Sequence, residues 1–424
     1  MVQQLFIERC CQRIIGDSKK NNIVYFSIFL KIIVEQKNTG KNTVSFQKEF
    51  QTIMSADADQ GYSFVCEWFD NQSQNLKKFA LTFYPYDNTV ELWDIKAHRM
   101  FLKRCPIDGG MSMSDLFIGS TVTVFQRQLN LVQYGNAFTK NVLGTAQQRT
   151  LAIILPHAVQ DAGKVLDVAL AEGFSLGHFR MVQLNQRQAL ALARESKEGA
   201  SDDLISALSS GPAIAMELIA RESVAAFKNL CQMRAWATGV RCSNSPGEAD
   251  RELSFFFGEG GAALSVRPTL RDTTLCLVKP HTLREGSAGR VIRAIQDSGF
   301  VITCAQMYHF DRPAADEFLE VYQGILPSIE FQAILNEITS GRMIALELAA
   351  TAQAAQHPQT GDMRSSVLSF RELTGPYPVH IAKELYPNSI RAQFGETVGR
   401  NAVHCTDMEE DGILECEYFF TILR

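Results

Sequence analysis

The spacing of apolar and polar residues changes near residue 149. From Tyr62 to about Asn136, β-branched and aromatic residues alternate with polar ones in the runs YSFVCEWFD, FALTFYP, TVELWDI and STVTVFQRQLNLVQYG. Turn residues such as YDNT, beginning at Tyr86, separate some of these runs. The pattern predicts a small antiparallel β module over residues 60–140. Residues 1–59 are rich in Lys, Asn, Gln, Ile and Phe and form an N-terminal extension to which no role is assigned.

After this module the pattern becomes mixed and occurs twice. TLAIILPHAV matches TLCLVKPHTL, and each is followed by a helix-period stretch with a C-terminal glycine, GKVLDVALAEGF and GRVIRAIQDSGF. SGPAIAMEL then matches SGRMIALEL, and RELSFFF matches ECEYFFTI, which is interpreted as a closing strand. The repetition predicts an α+β chain: the β module followed by two ferredoxin-like βαββαβ sandwiches in tandem, over residues 149–258 and 272–424.

The two repeats differ in their polar residues. Alignment of the first strands places Leu155 opposite Lys279, and alignment of the last matching segments places Arg241 opposite His404. Repeat 1 also lacks the segment that carries Arg371, Arg391 and Asn401 in repeat 2. Because repeat 1 lacks all of these residues together, we infer that they serve one site in repeat 2.

The residue types of this set suit phosphate chemistry. Three cations can converge on anionic oxygens, and a neutral histidine can attack phosphorus and carry the phosphoryl group. A carboxylate can fix the histidine tautomer, an amide can bind a sugar hydroxyl, and an aromatic ring can stack on a base. The candidates in that order are Lys279, Arg371 and Arg391, then His404, Glu415, Asn401 and Phe331. The sequence has no GxxxxGK[ST] motif, so phosphate binding by side chains is expected.

Residues 272–424 closely resemble the nucleoside diphosphate kinases. The resemblance rests on the strand ending VKPH, the SG-x-x-I/V-A-x-E motif, the stretch SIRAQFG, and NAVHCTD where the family has N-x-x-H-G-S-D. Repeat 1 resembles the same family more distantly. The leading module resembles the pleckstrin-homology-like domain of axonemal proteins, and the whole plan resembles the two-repeat family members of cilia and flagella.

The resemblance implies a role for each site residue. His404 is the phosphohistidine nucleophile and Glu415 orients it, while Lys279 and Arg391 hold the transferring phosphoryl group with Tyr322 beside it. Arg371 binds the next phosphate, Asn401 the ribose and Phe331 the base. Mg²⁺ is held through the nucleotide phosphates, with Asp407 touching it through water, and no protein metal site is implied. The mechanism is ping-pong, with ATP and nucleoside diphosphates as partners.

The resemblance also implies partners for the whole chain. The two repeats are expected to pack as an intramolecular pseudo-dimer in place of the family's homo-oligomer. Tubulin or other axonemal microtubule proteins are the expected macromolecular partners, and the cytoplasm, cytoskeleton and axoneme of a cilium or flagellum the expected location. The competing interpretation is a purely structural microtubule-binding scaffold without significant kinase turnover, which the added module and the degenerate repeat 1 favour.

Repeat 2 departs from the family pattern in several places. Cys405 stands where the family has glycine, and Thr406 replaces serine. Tyr377 aligns with a threonine that helps to hold phosphate. A polar insertion, about Thr351 to Ser369, precedes Arg371 and is predicted to be an exposed loop.

Composition excludes several other classes. The net charge of −5 argues against nucleic-acid binding, and ten cysteines without a CxxC pair argue against zinc or a disulfide framework and indicate a reducing compartment. The apolar run from Ile23 to Leu30 is too short to span a membrane. His157 and His281 follow the proline of each first strand and are interpreted as structural, whereas His309, His357 and His380 are interpreted as surface residues.

Overall fold

The computed structural model describes residues 60–423 except 71–72, 108–109, 145–146, 195–201, 237 and 358. The predicted extension over residues 1–59, including the apolar run at Ile23, lies outside the described residues. In the described part, no helix combines the length and the apolar character that a membrane crossing requires.

The first described domain is a six-stranded sheet followed by one helix. Its elements are β1 Tyr62–Asp70, β2 Asn75–Tyr84, β3 Thr89–Asp94, β4 Arg99–Pro106, a 3₁₀ turn Met113–Asp115, β5 Thr121–Val124, β6 Arg127–Tyr134 and α1 Ala137–Leu143. The spatial order is β4-β3-β2-β1-β6-β5. Residues of alternate positions, such as Phe64, Cys66, Phe79 and Leu81, fill its core. The antiparallel pairing that the period-2 pattern predicted is present in the β1–β2, β1–β6, β3–β4 and β5–β6 pairs.

Two details of this sheet differ from the prediction. The run beginning at Ser120 is two strands, because Phe125 and Gln126 have positive φ values of 44° and 66° and form a tight hairpin turn. Strand β4 was not predicted. It is an edge strand with six of its eight residues exposed, so its sequence, RMFLKRCP, lacks the alternation that a half-buried strand shows.

Repeat 1 follows from residue 148. Its elements are β7 Gln148–Ile154, a 3₁₀ turn Pro156–Asp161, α2 Ala162–Ala171, β8 Ser175–Gln183, α3 Gln186–Arg194, α4 Asp202–Ser209, β9 Pro212–Ala220, α5 Ser223–Met233, β10 Val240–Cys242, α6 Pro246–Phe257 and a 3₁₀ turn Gly261–Leu264. The strands lie in the spatial order β10-β7-β9-β8. Numbered within the repeat, this order is 4-1-3-2, which is the ferredoxin-like topology that the sequence predicted.

Repeat 2 has the same topology with additional helices. Its elements are β11 Thr274–Val278, α7 Pro280–Arg284, α8 Ala288–Asp297, β12 Phe300–His309, α9 Arg312–Phe318, a 3₁₀ turn Glu320–Tyr322, α10 Ser328–Ile338, β13 Arg342–Ala350, α11 Ala352–Ala355, α12 Ser366–Thr374, α13 Val379–Leu385, α14 Ile390–Phe394, β14 Val403–Cys405, α15 Asp411–Glu417 and a π-helical turn Tyr418–Ile422. The strands lie in the order β12-β13-β11-β14.

The two repeats join edge to edge into one eight-stranded sheet. Strand β8 pairs antiparallel with β12, with Gln306 opposite Arg180. Helices α2 and α8 cross this seam in close contact: a Cβ added to Gly163 would lie 2.2 Å from the backbone nitrogen of Arg293, and one added to Gly289 2.2 Å from that of Asp167. One hydrophobic core therefore continues from repeat 1 into repeat 2.

Two predictions about the repeats are wrong. The segments RELSFFF and ECEYFFTI are helical and lie in α6 and in α15 with its π-helical turn, whereas the fourth strands are the short β10 and β14. The predicted loop over Thr351 to Ser369 contains α11 and the start of α12, and Ser366 and Val367 are buried. Aromatic residues are also frequent on buried helix faces, so composition alone assigned the wrong element.

The β module packs against the seam between the repeats through Arg342. This arginine of β13 donates to the carbonyl oxygens of Leu176 and Gly177 in repeat 1 and pairs with Asp115 of the module. Nearby, Thr123 of the module lies 2.8 Å from Nε2 of His309. His309 is therefore not a free surface residue: burial lowers its pKa to about 4, so it is neutral at this contact.

Candidate active site

His404 is at the centre of the short edge strand β14. It lies opposite Leu277 of β11, and the backbone N–H of Lys279 donates to the carbonyl oxygen of Ala402. Because alternate residues of a strand share a face, His404 and Lys279 project from the same face as diagonal neighbours. The imidazole is 13% exposed and meets the edge of the Phe318 ring at 5.1 Å between centroids. The ring thus lies at the surface of the core, with the Phe318 ring packed against it.

Glu415 fixes the orientation of the His404 ring. Its Oε2 lies 3.1 Å from Nε2 and also accepts a hydrogen bond of 2.8 Å from the Thr406 hydroxyl. That hydroxyl in turn accepts from the backbone N–H of Leu275, which anchors the group to β11. A carboxylate at Nε2 holds the proton on that nitrogen and leaves the lone pair on Nδ1. Among the described residues no hydrogen-bond partner reaches Nδ1, so Nδ1 is the ring nitrogen whose lone pair is available to a ligand.

Lys279 and Asn401 form a buried pair beside the histidine. The ammonium donates to Oδ1 of Asn401 at 2.6 Å and to the carbonyl oxygen of Gly399 at 2.9 Å. The lysine is only 2% exposed, and burial lowers its pKa to about 7 although the charge of Glu337 opposes the shift. At neutral pH this lysine is near its titration midpoint, so small changes in its surroundings change its charge.

Arg391 approaches β14 from its open edge. Its guanidinium donates to the carbonyl oxygens of Gly375 and Val403 and contacts the Cys405 thiol at 3.5 Å. It also lies 6.0 Å from the ring centroid of Tyr377, whose carbonyl oxygen accepts from Asn401. The charge of Arg391 also acts on Lys279, lowering its pKa. The structure therefore brings these two cations of the predicted set together.

Arg371, Asp407 and Tyr322 form a second group of contacting residues in the site. Arg371 contacts both the backbone oxygen and the side chain of Asp407, and the Tyr322 hydroxyl donates to the same carboxylate at 2.7 Å. The Tyr322 ring meets the His404 ring edge-on at 6.4 Å. Burial, followed by the charges of Asp407 and Glu415, raises the Tyr322 pKa, so it acts as a neutral hydrogen-bond donor.

Phe331 is less accessible than base stacking requires. It is 8% exposed and packs in the hydrophobic cluster with Leu335 and Phe419, so its ring offers little surface to a ligand in this conformation. Ile329, two residues earlier, is 86% exposed. The predicted role of Phe331 in base stacking stays a prediction, and no feature of the sequence singled out Ile329.

Tyr377 does not fill the role of a threonine. Its hydroxyl is buried without a hydrogen-bond partner among the described residues, and burial raises its pKa. Cys405 points away from His404, since neighbouring residues of a strand face opposite sides, and its thiol contacts Thr374 and Arg391. Neither departure from the family pattern places a side chain between His404 and its carboxylate.

Repeat 1 has an ion pair at the matching place. Arg241 lies opposite Ile153 of β7, as His404 lies opposite Leu277, and it pairs with Glu252. The Ser243 hydroxyl donates a hydrogen bond to Glu252 and accepts one from the backbone N–H of Leu151. Thr406, Glu415 and Leu275 make the same arrangement in repeat 2. Register thus supports the alignment of Arg241 with His404. A guanidinium has no nucleophilic nitrogen, so this arrangement cannot carry a phosphoryl group.

Glu337 is a buried residue near the site that the sequence did not single out. It lies three residues before the SG motif and bonds to His281, two residues after Lys279. The signal that points to it is again the comparison of repeats, because the matching position in repeat 1 is Ala207.

Comparison with known proteins finds relatives that match both repeats. The family model described as nucleoside diphosphate kinase matches residues 148–234 and 272–423. The proteins called nucleoside diphosphate kinase homolog 7 of Rattus norvegicus and of Mus musculus are each 34% identical to this chain over 386 residues, covering 85% of the chain and 93% of each relative.

A single-domain relative also matches. The nucleoside diphosphate kinase of Aquifex aeolicus is 29% identical over 153 residues, which cover 36% of this chain and 96% of the relative. A crystal structure of the Aquifex enzyme aligns with 32% identity and a TM-score of 0.30, covering 36% of this chain and 96% of the other. The match of the family model to both repeats, and the similarity over most of the chain, show that this protein belongs to the nucleoside diphosphate kinase family.

Proposed function

We propose that repeat 2 is a working nucleoside diphosphate kinase site that transfers the γ-phosphoryl group of a nucleoside triphosphate to a nucleoside diphosphate through phospho-His404. The observation that carries this proposal is the His404–Glu415 contact at Nε2, which leaves Nδ1 without a partner in the described chain. Lys279 on the same face and Arg391 at the strand edge support it, because both are placed to neutralise phosphate charge.

The chemistry requires no external proton in its first half. Nδ1 of neutral His404 attacks the γ-phosphorus, the N–P bond forms as the bond to the β–γ bridging oxygen breaks, and the nucleoside diphosphate leaves. The ring becomes cationic, and the Glu415 carboxylate at Nε2 stabilises that charge. The reverse sequence on a second diphosphate restores the free imidazole. Lys279 and Arg391 neutralise the oxygens of the group in transfer, and Arg371 binds the next phosphate.

The residues present also fit Mg²⁺ held on nucleotide phosphates. Mg²⁺ in such sites keeps several waters and uses one or two carboxylates. Asp407 is a half-exposed carboxylate between Tyr322 and Arg371, at the side of the site where Arg371 receives a phosphate. When bound, the ion would neutralise negative charge on the nucleotide phosphates. Asp407 would hold it through a water, and among the described residues no group of three or more His, Cys, Asp or Glu side chains that could hold a metal ion is present.

Labelling with γ-labelled ATP tests the proposal. We expect acid-labile, alkali-stable label on the wild-type protein and none on His404→Ala. His380→Ala is the matched control, since His380 is an exposed histidine of the same repeat. Label that survives His404→Ala would move the nucleophile elsewhere. A wild-type protein that takes no label would refute the kinase proposal.

The proposal extends to the assembly of the chain. The edge-to-edge sheet and the α2–α8 contact support an intramolecular pseudo-dimer, in which the second repeat takes the place of a second subunit. A monomeric mass by sedimentation is expected for the full chain. A stable dimer or hexamer would contradict this part of the proposal.

A second candidate function is that of a microtubule scaffold in the axoneme. It is favoured by the pleckstrin-homology-like module, which packs against the repeat seam through Arg342 and thereby forms a composite surface with both repeats. Tubulin is the proposed partner. Protein retained in detergent-extracted flagella, including the His404→Ala variant, would support scaffolding independent of catalysis, whereas full release of the wild type would refute it.

A further inference from the structure

Among the described residues, the buried Lys279 ammonium donates hydrogen bonds to neutral acceptors only. The carbonyl oxygen of Gly399 and the amide oxygen of Asn401 accept from it, and neither carries a charge. Burying a cation without a counter-charge strongly favours its neutral form, in which it cannot neutralise phosphate. If Lys279 has the role proposed above, the fold must supply negative charge nearby.

Glu337 supplies that charge from α10. It is 3% exposed, and its Oε1 accepts from the backbone N–H of His281 at 2.8 Å and lies 2.9 Å from Nδ1 of the same residue. Its Oε2 lies 3.6 Å from Arg284 and 3.5 Å from Arg400. Burial alone would raise the Glu337 pKa, but the hydrogen bonds and charge of His281 and the charge of Arg284 outweigh burial and lower it. The carboxylate is therefore ionised at neutral pH.

The same carboxylate joins two segments of the site. His281 lies two residues after Lys279, at the start of α7, and Arg400 lies immediately before Asn401 in the loop that leads to β14. Lys279 and Asn401 bond to each other across this junction at 2.6 Å. Glu337 thus holds both sides of the pair while its charge acts on the lysine.

Repeat 1 offers an internal comparison. Its turn before the SG motif is the same, since Ser210 donates to Ala207 as Ser340 donates to Glu337. In repeat 1 the lysine position is Leu155 and the carboxylate position is Ala207, whereas the histidine remains as an exposed His157. The lysine and the carboxylate are thus absent together, which is expected if one exists to support the other.

Other charged groups surround this pair. The titratable groups that act on Lys279, in addition to Glu337, are the Arg391 guanidinium of α14 and the Cys405 thiol on the other face of β14. Next to His281, Glu285 at the end of α7 and Glu396, which pairs with Arg400 at 3.5 Å, add negative charge at the edge of the network. The charge of Arg391 disfavours the protonated form of Lys279, whereas the charge of Glu337 favours it. Without Glu337, the protonated form is therefore disfavoured.

We propose that Glu337 is a positioning residue for phosphoryl transfer, whose buried carboxylate ties the Lys279 turn to the Asn401 loop and keeps the Lys279 ammonium protonated in the site. It acts through Lys279 and does not itself touch the nucleotide. The inference rests on the proposed kinase function.

The test is the pH dependence of His404 phosphorylation by γ-labelled ATP between pH 6 and pH 9. For the wild type we expect the rate to fall above about pH 7, as Lys279 loses its proton. For Glu337→Gln we expect this fall to move to lower pH by about one unit, so that the deficit of the variant relative to the wild type is about fivefold larger at pH 8 than at pH 6. Glu337→Asp, which retains the charge, should keep the wild-type midpoint even if its rate is lower.

Glu347→Gln is the matched control. Glu347 is equally buried, in β13, and also accepts from backbone N–H groups, those of Thr269 and Leu270. Its substitution should leave the pH midpoint unchanged. A Glu337→Gln deficit of equal size at every pH, or coincident profiles, would overturn the inference while the kinase function stands. A wild type that neither takes label nor binds ADP would refute the proposed function and this inference with it.

Discussion

At the scale of single residues, the site consists of groups whose orientation and hydrogen bonding are set by one or two neighbours. Glu415 determines which nitrogen of His404 keeps its proton, and Asp407 holds Tyr322 and Arg371 on the other side. Lys279 differs from these because its surroundings oppose its charge. Each of these dependencies predicts a specific effect of substitution.

Glu415→Gln should reduce the phosphorylation rate of His404 by roughly fivefold to tenfold. The amide still accepts a hydrogen bond from Nε2, but a bond to a charged group is replaced by a neutral one, which loses about 1–1.5 kcal/mol when the ring becomes cationic. Initial rates of label incorporation measure the effect. Glu417→Gln, on the same helix, is the control and should retain the wild-type rate. An unchanged rate in Glu415→Gln would show that the carboxylate only supports the fold.

Lys279→Met should abolish labelling yet stabilise the fold at neutral pH. The folded-state pKa of Lys279, about 7, is below its ordinary value of 10.5, so between these values the unfolded chain binds the additional proton. The wild type therefore gains stability as the pH rises through this window, and below pH 7 it bears the full cost of burying the charge. The free energies of unfolding of the wild type and of Lys279→Met, measured with urea, should differ more at pH 6 than at pH 9. A constant difference would contradict the lowered pKa.

At the scale of elements, the seam between the repeats depends on two glycines and one strand pair. Helices α2 and α8 approach so closely that a side chain at Gly163 or Gly289 would meet backbone atoms, and β8 and β12 pair over a short length. The approaches at Gly163 and at Gly289 are related by the internal symmetry of the chain. A change in either helix therefore affects the packing of both repeats.

Gly289→Ala should destabilise the protein by about 1–3 kcal/mol, the usual cost of overpacking. The added Cβ would lie 2.2 Å from a backbone nitrogen of α2, so the helices must separate. Chemical unfolding measures the change. Gly260→Ala serves as the control, because a Cβ there meets nothing within 4 Å and φ is −82°. Equal stability of both variants would contradict the close packing of the seam.

At the scale of the whole molecule, Arg342 contacts the β module and both repeats. Its guanidinium lies over the Phe117 ring at 4.9 Å and pairs with Asp115, while it also caps two carbonyl oxygens of β8. These partners offset the free-energy cost of burying the Arg342 guanidinium. Removing the guanidinium therefore leaves its partners without their hydrogen bonds and counter-charge. Arg342 therefore couples the module to both repeats, in addition to the contact between Thr123 and His309.

Arg342→Ala should loosen the module from the repeats without unfolding it. We expect faster amide hydrogen exchange in the 113–119 segment and in β8 and lower stability by about 3–5 kcal/mol, because a buried charged pair is broken. Arg312→Ala is the control, since Arg312 makes an exposed pair with Asp316 and should change stability by less than about 1 kcal/mol. Unchanged exchange in both segments would show that the module is held by other contacts.

The amino-acid sequence by itself determined the repeats, their first three strands and the crossover helices, and it supplied a set of candidate site residues. These follow from local periodicity and from comparing two copies of one pattern, which needs no knowledge of long-range contacts. Sequence did not reveal β4, β10 or β14, because an exposed edge strand and strands of three residues carry too little alternation to be recognised.

Tertiary structure decided which residues meet. Lys279 and Asn401, 122 positions apart, bond directly, and the role of Glu337 depends on contacts with the residues before Asn401 and after Lys279. Burial also decided the availability of Phe331 and the charge of Lys279, since both depend on atoms brought together by the chain fold. A charge state or an exposed face is a property of packing between distant segments, and therefore only the folded chain specifies it.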